Sequence, residues 1–288
     1  MRLYLHGDAH YLAERGRTIK SGHKGNGGIC IMRVYTFGDH TKAVILLLPG
    51  TCCHWKANFG EVIPLLEPDF LVACVSYDGF VETEQSVFPD MLAETEKIEQ
   101  YIQDHFDGHI HAAYGCSLGG SFVGLLVQRG NIHIDHAILG SSDLDQSGSM
   151  AAKLKTAIIA PMLHGMLHKG KPPKFIQKLL ERRPPEERLY YEKMMDMFGI
   201  GNTRMAFVRK ESIRNQFYSD LVTPLETGIS VPGTTVHCFF AAKMGEKYLE
   251  RYKHHFKSPD IRRHDMQHEE LLFCHPEQWV EEIKSCCG

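Results

Sequence analysis

The chain has 288 residues, 43% of them hydrophobic and 23% charged, with a formal net charge of −3. That is enough chain to bury a large core as one big domain or two ordinary ones, and too little basic excess to follow a nucleic-acid backbone, so no nucleic-acid partner is expected. The longest apolar run, residues 43–48, has the length of a strand and falls far short of a membrane span, so no stable membrane insertion is expected either.

Residues 1–31 are polar, basic and glycine-rich, and they hold no apolar stretch that could serve as the core of a signal peptide. Their glycines resemble part of a phosphate loop, but no strand precedes them and no Lys-Ser/Thr pair follows. They read as a loosely ordered extension and linker, with the folded domain expected to start near Met32. The nine cysteines are singles apart from the adjacent pairs Cys52-Cys53 and Cys286-Cys287. No C-x-x-C pairs occur, which points to reduced thiols and a cytoplasmic setting.

Residues 33–37 alternate polar and apolar, as a half-buried strand does, and 43–48 form a continuous buried-strand run ending at Pro49-Gly50. A helix is expected over 59–66, a buried strand over 70–76 and an amphipathic helix over 89–105. Strand 109–114, apolar helix 121–129 and strand 132–139 complete the block. Strand-helix alternation with near-continuous apolar strands predicts an α/β fold with a mostly parallel central sheet and helices on both faces.

From 146 to 227 the pattern is helical only, with stretches at 153–167, 174–182, 186–198 and 203–221 broken by prolines and glycines. This block is expected to be an all-helical lid inserted into a core made of 32–145 and 228–288. Strands return at 234–240 and 260–263, and a helix over 276–286 ends the chain.

The chemistry concentrates at Gly115-Cys116-Ser117-Leu118-Gly119. A buried strand precedes this G-x-S-x-G and an apolar helix follows it, which suits a tight strand-to-helix turn that exposes a nucleophilic serine Oγ. The flanking Gly115 and Gly119 keep side chains out of a crowded turn. With this context the region resembles the core of the α/β-hydrolase superfamily, and the resemblance runs from Met32 to the end. It implies a serine hydrolase acting through an acyl-enzyme on Ser117.

The resemblance also orders the remaining parts. The oxyanion hole falls on the backbone N–H groups of Leu118 and of Thr51, in the loop Leu48-Pro49-Gly50-Thr51-Cys52, with Cys52 as the fallback. Pro49 stands where relatives usually have histidine. The general base lies after the last strand and before the terminal helix. Of three histidines there, His268 is preferred to His264 and His275. His264 and His268 also spell H-D-x-x-H, near the zincin motif, but the strand-like residues before them do not suit a zinc helix, so no metal is expected. The acid falls on Glu246, after the penultimate strand, with Asp143 after the preceding strand as the rival.

The apolar stripe of the first lid helix (Leu154, Ile158, Met162, Leu163) and the methionines at 194, 195 and 197 favour a hydrophobic acyl or alcohol part in a small-molecule ester. A thioester or amide on the same residues, or a hydrolase-fold protein that binds a ligand without turning it over, are the competing readings. The chemistry calls for no cofactor, and a homodimer is left open.

Overall fold

The computed structural model describes residues 17–20, 32–200 and 203–288. The elements follow in chain order: β1 (Arg17–Lys20), β2 (Arg33–Phe37), β3 (Val44–Leu48), α1 (Trp55–Phe59), α2 (Ile63–Leu66), β4 (Leu71–Ser76), α3 (Met91–Phe106), β5 (His109–Gly115), α4 (Leu118–Arg129) and β6 (His133–Leu139). Four helices come next, α5 (Ser149–Lys169), α6 (Lys174–Glu181), α7 (Pro185–Met197) and α8 (Lys210–Val222). The chain then completes β7 (Thr235–Ala241), α9 (Glu246–His255), β8 (Asp260–His264), α10 (Glu270–Cys274) and α11 (Pro276–Cys287).

One eight-stranded sheet runs in the order β1-β2-β4-β3-β5-β6-β7-β8. Strands β3 to β8 pair in parallel, while β1 pairs with β2 and β2 with β4 antiparallel. The sheet therefore begins earlier than the sequence suggests. Arg17–Lys20 pairs in register with Arg33–Thr36, which corrects the expectation of a loosely ordered segment for those four residues. The other residues of the expected extension lie outside the described part of the chain. The fourth helical stretch also differs: it starts at Lys210 rather than at residue 203, after a turn through residues 204–207.

The reason for a two-sided core is visible in β3. Leu46 and Leu48 face one apolar cluster and Ile45 and Leu47 the other, all four without solvent exposure. The first cluster takes Ile98 and Ile102 of α3 and Phe122 and Leu126 of α4. The second takes Trp55 and Phe59 of α1 and Trp279 and Ile283 of α11. Each such side chain contributes about 1.5–3 kcal/mol on burial, so helices on both faces fix the central strands in place. Helix α3 is stopped at both ends. The Asp90 side chain accepts from Ala93 N at 2.9 Å, and Asp107 takes a left-handed conformation (φ 51°) at the other end. Among the described residues no helix is long and apolar enough to cross a membrane.

Candidate active site

Strand β5 ends in a turn that the sequence makes possible only with glycine. A Cβ on Gly115 would run into the backbone of Gly119 and Gly120, and one on Gly119 into the carbonyl of Leu48. Between them Ser117 sits at φ 52° and ψ −111°, a conformation costly for any residue with a side chain. The turn is closed by Gly119 N donating to Cys116 O at 2.7 Å and Gly120 N donating to Ser117 O at 2.9 Å. Ser117 precedes the first residue of α4, so positive helix-end dipoles face the space beside its hydroxyl.

His268 lies in the loop after β8, and its Nε2 stands 3.0 Å from Ser117 Oγ. The loop is held from the helical insertion: Tyr190 OH of α7 donates to the His268 carbonyl at 3.0 Å. His264, the second candidate, ends β8 and packs edge-on against Phe239, with its ring centroid 5.7 Å away. Burial holds its pKa down, and its Nε2 is buried with no hydrogen-bond partner among the described residues. His275 bridges α10 and α11. Of the three, His268 is the one bonded to the serine.

Neither expected acid is brought to His268. Glu246 opens α9, is mostly exposed, and pairs with Arg263 of β8 at 2.8 Å. The physical cause is the loop after β7, which tightens into a 3-10 turn over Ala242–Met244. Gly245 then reverses at φ 110°, leaving Glu246 on the outer surface at a helix start that suits its charge. Asp143 Oδ1 accepts from Asp145 N at 3.3 Å, within its own loop. Beside it, Asp220 is pushed up to about 8 by burial and then by the Asp143 charge. The Nδ1 of His268 is buried, with no hydrogen-bond partner among the described residues.

The carboxylate nearest the serine is one that sequence reasoning passed over. Glu269, 3% exposed and in a left-handed conformation (φ 56°), points back under the elbow. Its Oε1 accepts from Ser117 N at 2.8 Å and its Oε2 accepts from Tyr114 OH at 2.8 Å. Burial, and after it the Glu269 charge, hold the Tyr114 phenol well above its ordinary range, so it stays a donor. A charge-assisted bond to the Ser117 backbone fixes the strained turn from below. The space is tight, since a Cβ on Gly140 would press on both Glu269 Oε1 and the Tyr114 hydroxyl.

Above the serine is a cavity of about 70 Å³ whose walls include Thr51, His268 and the apolar side chains Met194, Met197, Phe198 and Phe273. The N–H groups of Thr51 and Leu118 make no hydrogen bond among the described residues, whereas Cys52 N donates to Gln216 Oε1 at 2.8 Å. The fallback donor is thus already engaged. Gly50 N donates to Asn58 Oδ1 at 2.9 Å and Tyr77 OH to Pro49 O at 3.1 Å, which pins the loop in spite of its proline. Beyond Met197 a second cavity of about 260 Å³ is bordered by His54, Glu82 and Phe207. There the hydrogen bond from His54, 2.9 Å long, holds the Glu82 carboxyl down at about 2.

The thiols nearby are inert. Burial pushes Cys52 up to about 12 and lifts Cys53 and Cys116 well above their ordinary range, which leaves no thiolate to act as nucleophile. All eight cysteines among the described residues are free.

No protein-family model matches the sequence, and no curated protein matches it. Solved structures do. The chain is similar to a protein described as an alpha/beta hydrolase family member from Desulfitobacterium hafniense (16% identity, 88% of this chain and 100% of that one, TM-score 0.70). It is also similar to a thermophilic esterase from Thermogutta terrifontis (18% identity, 94% and 97%, TM-score 0.66) and to an enol-lactonase from Burkholderia xenovorans (14% identity, 88% and 96%, TM-score 0.58). The chain has the α/β-hydrolase fold.

Proposed function

We propose that this protein is a serine hydrolase that cleaves a carboxylic ester with a short hydrophobic acyl part through an acyl-enzyme on Ser117. The observation that carries this reading is the 3.0 Å contact between Ser117 Oγ and His268 Nε2 at the floor of a small apolar cavity. His268 takes the Ser117 proton as Oγ attacks the ester carbonyl, and gives it to the departing alcohol. The N–H groups of Leu118 and Thr51 receive the charge that forms on the carbonyl oxygen. Water activated by the same imidazole then releases the acid.

The role usually given to a carboxylate on the histidine falls differently here. Glu269 does not touch His268 Nδ1. It is a positioning residue that fixes Ser117 through its backbone N–H, and its buried charge favours the imidazolium that forms in the transition state. The inserted helices α5 to α8 act as a lid, with Met194 and Met197 as its inner surface. The cavity over Ser117 is smaller than the one past Met197, so the smaller takes a short acyl chain and the larger takes the alcohol side.

A panel of p-nitrophenyl esters of increasing acyl length tests the reading. The expected result is turnover that is highest for the shortest acyl groups and absent in Ser117→Ala. Equal turnover by the variant, or none by the wild type, overturns it. An intact ligand that binds and is never turned over would make the protein a binder instead.

A further inference from the structure

The amino ends of β5 and β6 bring together a second set of chemically versatile side chains, at the opposite end of the strands from Ser117. The two strands pair His109 with His133 and Ile110 with Ile134, and the ladder resumes at Ala112 and His136. The side chains around the gap converge on one carboxylate. His109 Nε2 is 2.8 Å from Asp135 Oδ1, His133 Nε2 is 3.3 Å from the same oxygen, and His111 Nδ1 is 3.2 Å from Oδ2.

We propose that His109, His133 and Asp135 form a binding site for a zinc-class divalent metal ion. Their donor atoms lie within 4.8 Å of one another. A tetrahedral zinc with bonds of about 2.0–2.1 Å sets its donors roughly 3.4 Å apart, so small side-chain rotations close the set. Two imidazoles and one carboxylate favour zinc, cobalt, nickel or copper over magnesium and calcium, which prefer oxygen ligands alone. The three side chains are 55%, 39% and 31% exposed, so an ion can enter and keep water in its remaining positions. His111 supplies an outer hydrogen bond to the ligating carboxylate, the arrangement that orients metal ligands elsewhere.

The length of β5 puts the site roughly 20 Å from Ser117, which assigns it to the fold or its regulation rather than to ester chemistry.

Equilibrium dialysis of the full chain against zinc, with bound metal counted per chain, tests the site. The wild type is expected to hold one zinc more than a His109→Ala/His133→Ala double variant, and Asp135→Asn to weaken that zinc at least about tenfold. Magnesium is expected not to compete. The same zinc count in the wild type and the double variant would overturn the proposal, leaving a hydrogen-bonded surface cluster, and so would equal competition by magnesium. Thermal midpoints measured without zinc keep the comparison sound. If the double variant does not fold, the Asp135→Asn binding curve decides alone.

Discussion

The two ends of β5 use the same residue types to opposite effect. At its carboxyl end Glu269 is buried under the elbow, and both of its oxygens are taken by donors that hold the turn, Ser117 N and Tyr114 OH. At its amino end Asp135 is partly exposed, and its oxygens meet imidazoles that could as well face an ion. Burial is what separates them. A dry carboxylate fixes geometry and holds a charge close to the reacting atoms, while a wet one trades partners with solvent and metal.

Several substitutions press on that contrast. Ser117→Ala should remove essentially all ester turnover, a loss of at least about 10⁴-fold in kcat, and His268→Gln should approach it, since the two act as one unit. Steady-state rates on a p-nitrophenyl ester check both.

Glu269→Gln should lower kcat by about 10- to 100-fold with KM little changed, because the charge acts in the transition state rather than on substrate binding. Steady-state kcat and KM on a p-nitrophenyl ester check it, and a rise in KM with kcat unchanged would reduce Glu269 to a structural support.

Glu246→Gln and Asp143→Asn should each stay within about threefold of the wild-type kcat, in keeping with surface or local contacts. A loss of 100-fold in either would return the acid role to that residue.

The smallest effect is expected at Asp135. Its folded pKa lies below the unfolded value, so its contribution to stability is present above about pH 4 and fades as pH falls through the lowered pKa. Asp135→Asn should therefore lower the metal-free melting temperature by about 1 °C at pH 7 and by less near pH 3. An equal drop at both pH values would contradict the account.

Much of the frame could be read from the residues. Apolar strands with two buried faces, such as 43–48 and 70–76, force helices onto both sides, and the glycines around Ser117 answer a local steric demand that any sequence reader can apply. His268 was legible because its place in the order of elements selects it from 18 histidines. Glu246 was not where order suggested, because the exit from β7 closes into a 3-10 turn that turns the carboxylate outward. Glu269 was hidden for a related reason. Its left-handed backbone aims it beneath the turn at Ser117, 152 residues earlier, and neither spacing nor periodicity carries that information. The first strand escaped notice because four residues at a sheet edge have too little pattern, and the histidine-aspartate set because its members come from two strands that only the sheet register aligns.

The central claim is that Ser117 is a nucleophile activated by His268, and reaction with a fluorophosphonate probe tests it most directly. Mass spectrometry of the intact wild-type chain should show a single adduct that maps to Ser117, with no adduct on Ser117→Ala. A wild type that stays unlabelled, or a variant that labels equally, would contradict the account.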